Sequence, residues 1–208
     1  MSISNKSTLN ESISIESILD DLSKDTVIFI SGTPCTGKTT VASDLNDYLS
    51  SNGFHSRLIK VNDFAIENDL VLGEDPDKLY KVIDIDGLNE CLNDEIDKSN
   101  DCVLIVEGHL SHLCEGADKM IVLRLNPAIL KNRLEERNYS ESKIQENLEA
   151  EALAVCSAEA YDLYGEKTNE IDASDKSVEE IRDLVIAIAS DNLECPVGSI
   201  DFMEWLLE

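Results

Sequence analysis

The chain has 208 residues, a net charge of −26, 42% hydrophobic residues and only 5% aromatics. That length suits one α/β domain with appendages and a core of Ile, Leu and Val, while so acidic a surface excludes a broad nucleic-acid-binding face. No apolar run approaches the ~20 residues of a membrane span, Met1–Glu16 lacks the regions of a secretion signal, and six scattered cysteines without a Cys-x-x-Cys pair suit reduced thiols in a cytoplasmic protein.

Residues 1–25 form a polar N-terminal appendage in which Ile13, Ile15, Ile18, Leu19 and Leu22 predict a short amphipathic helix over about Ser12–Ser23. From Val27 onward, apolar runs alternate with helical patterns, the signature of a parallel sheet with crossover helices. The first strand, Val27–Ser31, leads directly into Gly32-Thr33-Pro34-Cys35-Thr36-Gly37-Lys38-Thr39, a complete G-x-x-x-x-G-K-[ST] phosphate-binding loop (P-loop). Backbone N–H groups of such a loop point inward at a phosphate, and the following helix, Gly37 to about Ser51, presents its positive dipole end to the same anion. Lys38 is placed to reach the β/γ-phosphates of ATP and the Thr39 hydroxyl to ligate Mg²⁺.

Arg57–Val61 is a second strand. Asp63–Tyr80 is acidic and weakly periodic, and is expected to be an inserted helical cap. A helix over Asp86–Lys98 precedes the strongly apolar strand Cys102–Val106. Glu107 follows at the strand's C-terminal end, where ligands sit in open α/β sheets, and is placed to complete the metal shell with Thr39. His109 and His112 fall in the next loop; His109 is the candidate for organising the acceptor, and His112 is left open between that role and a structural one. After the strand Met120–Leu123, Pro127 opens a helix reaching about Arg137, with Arg133 and Arg137 as an i, i+4 pair able to clamp phosphate oxygens. Asn138-Tyr139-Ser140 breaks the pattern, and Ser140 is an N-cap for one long helix to Tyr164. Thr168–Asp172 is a fifth, edge strand and Ser177–Ala189 a final helix. The tail from Asp191 is acidic, with an apolar cluster of Phe202, Met203, Trp205, Leu206 and Leu207.

Gly32–Thr40, Glu107-Gly108-His109, Leu123-Arg124-Leu125, Arg133, Arg137-Asn138-Tyr139 and Lys143-Ile144-Gln145-Glu146-Asn147 together resemble the atypical adenylate kinase family of archaea and the eukaryotic nucleus, over about Thr26–Ala189. The resemblance implies a P-loop nucleoside-monophosphate-kinase fold: a five-stranded parallel sheet flanked by helices. It implies a kinase domain over residues 26–190, a small monophosphate-binding cap near residues 60–83 and a short lid near 136–146, while the N-terminal appendage over 1–25 and the tail over 191–208 have no counterpart in it. It assigns Cys35, Gly37, Lys38, Thr39, Thr40, Arg137 and Lys176 to nucleotide contacts, Lys38, Arg137, His109 and Glu107 to catalysis, and Thr39 and Glu107 to Mg²⁺. The implied activity is ATP + AMP = 2 ADP with some ATPase leakage. The family also acts in small ribosomal subunit maturation, which implies the ribosomal protein uS11 as a partner whose basic tail suits a surface of charge −26. Three departures stand out: Cys35 where the loop usually has glycine, Glu107 in place of Asp, and Ile66 where related enzymes often place a cap arginine. The last favours an alternative, an ATP-driven assembly factor without significant AMP kinase activity. A small-metabolite kinase on the same fold is a third reading.

Overall fold

The computed structural model describes residues 15–74 and 81–207. The chain runs α1 (Ile15–Leu19), β1 (Val27–Ser31), α2 (Lys38–Ser51), β2 (Ser56–Lys60), α3 (Val61–Glu67), β3 (Val71–Glu74), β4 (Lys81–Ile83) and α4 (Ile85–Asp97). It continues with β5 (Val103–Glu107), β6 (Lys119–Arg124), α5 (Pro127–Glu136), α6 (Glu141–Ala152), α7 (Val155–Tyr164), β7 (Thr168–Asp172) and α8 (Val178–Ala189).

Five strands form one parallel sheet in the order β2-β5-β1-β6-β7. The central strands are apolar without a break because helices cover both faces, so neither side of the pleat meets water. Alternation still sorts their side chains. Ile28, Ile30, Ile105, Ile121 and Leu123 point to the face covered by α2, α5 and α8. Phe29, Leu104, Val106, Met120 and Val122 point to the face covered by α3, α4 and α7. Each such side chain, fully buried, stabilises the fold by roughly 1.5–3 kcal/mol. The strand order places β1 and β5 side by side with Ile30 opposite Glu107, so the P-loop and the strand-end carboxylate emerge at one edge of the sheet.

Several sequence expectations meet the structure with changes. The N-terminal helix is shorter than Ser12–Ser23, and the part of that span before Ile15 lies outside the described residues. The span read as a helical cap, Asp63–Tyr80, is helical only in α3; beyond it the chain turns into the antiparallel hairpin β3–β4. Positions 75–80 of that span lie outside the described residues. Val61 opens α3 instead of closing the second strand. The long helix Ser140–Tyr164 is two helices, because Ala154 adopts a left-handed φ of 54° and redirects the chain from α6 into α7. β7 is an edge strand as expected.

The tail from Asp191 does not hang free. Cys195 accepts from the Glu170 N–H at 2.8 Å, Asn169 bridges Pro196, and the Phe202 ring lies 5.3 Å from the Arg124 guanidinium. Trp205 packs on the core, while Leu207 stays 88% exposed. The tail thereby covers the edge of β7 that would otherwise offer unpaired backbone groups.

Candidate active site

The turn after β1 is dictated by close approach. Gly32 has φ 137°, and a Cβ there would lie 2.4 Å from the Leu123 carbonyl oxygen of β6, so only glycine fits. Cys35 takes a left-handed φ of 71°, in the conformation that glycine normally supplies. α2 then starts behind Gly37, which offers no side-chain cap. The first N–H groups of α2 are left for an anion to satisfy.

Lys38 is buried and bends back over the loop. Its Nζ donates to the carbonyls of Gly32 at 2.9 Å and Thr33 at 2.8 Å. Burial lowers its pKa, and the Cys156 and Glu107 groups nearby work in the opposite direction. Thr39 Oγ1 donates to Glu107 Oε1 at 3.0 Å, so two hard oxygen donors meet beside Lys38. Burial raises the Glu107 pKa above the usual carboxylate range, with the Thr39 hydroxyl and Lys38 partly offsetting it. A carboxylate next to a hydroxyl at the mouth of a phosphate loop is a donor pair that fits Mg²⁺. That ion binds through one or two protein oxygens and fills its remaining sites with water and phosphate.

His109 lies at the rim with Nδ1 3.1 Å from the Gly32 carbonyl oxygen. The ring's edge is exposed, but desolvation where it packs on the loop, together with the Lys38 charge, lowers its pKa. His112 has a different environment. Its ring spans Ser31 Oγ at 2.7 Å and Glu159 Oε2 at 2.8 Å, in the order of a hydrolytic triad. Ser31 is fully buried, so no substrate reaches its hydroxyl, and the arrangement ties the turn at Ser111–Leu113 to β1 and α7.

The arginine pair divides. Arg133 Nη1 donates to the Cys35 carbonyl at 3.2 Å and so lies against the P-loop. Arg137 caps the C-terminus of α5, exposed, and forms no ion pair among the described residues. Thr40 and Lys176 are exposed, the first on α2 and the second in the turn before α8. Lys60, next to Val61 at the start of α3, stands opposite Glu107 in the β2–β5 register.

One buried group was missed from sequence. Glu151, 1% exposed in the last turn of α6, accepts the Thr33 hydroxyl on Oε2. Its Oε1 accepts Arg124 Nε at 2.8 Å and the Leu125 N–H at 2.9 Å. Arg124 also donates to Glu170 at 2.7 Å, and Glu170 Oε2 accepts the Gly198 N–H of the tail at 2.9 Å. Burial pulls the Arg124 pKa down, but the two glutamates outweigh it and hold it up. The detectable signal was a charged residue inside the apolar run Met120–Leu125.

A family model for the AAA domain matches residues 28–154. A protein of Methanothermobacter thermautotrophicus named "Putative adenylate kinase" is 40% identical over 181 residues, covering 87% of this chain and 99% of its own length. Another of that name from Methanococcus maripaludis is 38% identical over 180 residues, 86% of this chain and 96% of its own. Among solved structures, the tunicamycin resistance protein of Deinococcus radiodurans aligns with 82% of this chain and 98% of its own at a TM-score of 0.51 and 14% identity, a likeness of fold alone.

Proposed function

We propose the following function for this chain, which belongs to the P-loop AAA-domain family and to the atypical adenylate kinase family of those archaeal relatives: it is a cytoplasmic adenylate-kinase-like phosphotransferase, MgATP + AMP giving two ADP. The coarser reading, a P-loop nucleotide kinase, follows from the family. The observation that carries the finer one is Lys38 poised over the loop beside the Thr39–Glu107 pair.

In this reading the loop N–H groups and the open N-terminus of α2 cradle the ATP phosphates, with Cys35, Gly37, Thr40 and Lys176 as further nucleotide contacts. Thr39 and Glu107 would hold Mg²⁺, which would supply positive charge to offset that of the phosphates. A phosphate oxygen of AMP attacks the γ-phosphorus as the bond to the β-phosphate oxygen breaks. That oxygen is already ionised, so no general base is required. Lys38 and the lid arginine, Arg137, stabilise the spreading charge. His109, beside the Gly32 carbonyl, orients the acceptor. α3 and the β3–β4 hairpin form the acceptor cap, residues 136–146 the lid. Ile66 leaves the cap without an arginine at that position, and Lys60, in register with Glu107, supplies a cation at the cap's entrance.

A second reading, supported by Ile66 and the acidic surface, makes ATP turnover time an assembly step in small-subunit maturation, with the basic tail of uS11 as partner. ADP production from MgATP with and without AMP, on wild type and Lys38→Ala, separates the two. AMP-dependent production lost in Lys38→Ala supports the kinase. Slow turnover indifferent to AMP supports the assembly ATPase.

A further inference from the structure

We propose that Glu151 is a positioning residue for Lys38, acting through the side chain of Thr33. Thr33 faces two ways. Its carbonyl receives Lys38 Nζ at 2.8 Å and the Thr36 hydroxyl at 3.0 Å, so the direction of that carbonyl fixes where the ammonium stands. Its hydroxyl is held by Glu151 Oε2, and both residues are at most 2% exposed. Arg133 and His109 hold the loop at the Cys35 and Gly32 carbonyls, and Thr39 reaches Glu107 at its end. Thr33 is the loop side chain through which α6 holds the carbonyl that receives Lys38.

Glu151 is itself rigidly placed. Arg124 Nε and the Leu125 N–H fix its Oε1, and Arg124 Nη2 donates to the Glu151 carbonyl at 2.7 Å. It stands on the last turn of α6, just before the left-handed Ala154, so the same carboxylate ties the P-loop to the helix that begins at the proposed lid. A one-ångström displacement of a catalytic group from outside the chemistry costs up to about 100-fold in rate. An anchor that holds the Thr33 carbonyl is thus expected to register in kcat, with ATP binding through the loop N–H groups largely kept.

The choice of assay rests on the kinase reading; the geometry does not. The test compares Thr33→Val, which keeps the shape and deletes the hydroxyl, Thr33→Ser, which keeps the hydroxyl, Glu151→Gln, and the Val/Gln double variant. We expect Thr33→Val and Glu151→Gln each to lower kcat about tenfold with KM for ATP within about threefold, Thr33→Ser to stay near wild type, and the double variant to be no worse than the worse single. Thermal unfolding of each variant tracks folding separately; if Glu151→Gln does not fold, the Val/Ser pair decides alone. Unchanged kcat in Thr33→Val, equal losses in the Ser and Val variants, or independent losses multiplying to about 100-fold in the double variant would overturn the proposal. Wild type that transfers no phosphoryl group to AMP would instead overturn the kinase reading. The same variants would then be compared by the kcat of MgATP hydrolysis, with the same outcomes deciding.

Discussion

Replacing Arg124 with Met is the most severe test of how this core is held together. The guanidinium is 1% exposed and sits between Glu151 and Glu170, at 2.8 and 2.7 Å, whose side chains are 2% and 0% exposed. Met keeps the unbranched apolar stem of the side chain but leaves two buried carboxylates with no counter-charge. Backbone N–H groups of Leu125 and Gly198 still donate to them, and the Thr33 hydroxyl to Glu151, so the carboxylates stay partly satisfied. Breaking a buried pair from one side costs about 3–5 kcal/mol. At about 2–4 °C per kcal/mol for a domain of this size, Tm falls by roughly 6–20 °C. The loss reflects orphaned charge more than the absent pair, so adding Glu170→Gln to Arg124→Met recovers part of it. Differential scanning calorimetry of wild type, Arg124→Met and the double variant at pH 7 reads both effects. A Tm drop under about 3 °C, roughly 1 kcal/mol, would refute the reasoning.

Other predictions follow from the site. Cys35→Gly relieves a left-handed residue by about 1–2 kcal/mol but loses a buried thiol and adds about 0.5–1 kcal/mol of unfolded-state entropy, so chemical denaturation should place it within about 1 kcal/mol of wild type. Cys35→Val, β-branched at the same φ, should be the less stable of the two by at least 1 kcal/mol, on the order of the left-handed penalty itself; the reverse order would contradict the strain assignment. Glu107, whose folded pKa is raised, stabilises the fold only while protonated, and that contribution is lost as pH rises through its folded pKa. Glu107→Gln should therefore raise the Tm of the nucleotide-free protein at pH 7 while abolishing the extra stabilisation that MgATP gives over ATP with EDTA. Arg137→Ala should lower kcat about 10³-fold, as for an arginine finger, with Tm moved by no more than about 1–2 °C. Arg133→Ala, which frees the Cys35 carbonyl, should lower Tm as well as activity.

How much the residues disclosed depended on where each signal came from. The P-loop and the strands were legible because Val27–Ile30 and Val103–Val106 are unbroken apolar runs, and a doubly covered parallel sheet demands such runs. Glu107 beside Thr39 was legible because strand order follows from that topology. The split between α6 and α7 was not, since Leu153-Ala154-Val155 carries no glycine or proline and the left-handed turn is imposed by packing. The β3–β4 hairpin hid in an acidic segment whose β-branched residues, Val71, Val82 and Ile83, are too few to outweigh weak helical spacing. Glu151 looked like Glu146 and Glu149, one more charge on an acidic helix. Only the approach of α6 to β6 and the P-loop makes it a buried partner of Thr33 and Arg124.

The most direct measurement follows the terminal phosphoryl group of γ-labelled ATP in the presence of Mg²⁺ and AMP. The account predicts label appearing in the β-position of ADP faster than in inorganic phosphate, and both products lost in Lys38→Ala. Label released only as inorganic phosphate, at a rate indifferent to AMP, would contradict it.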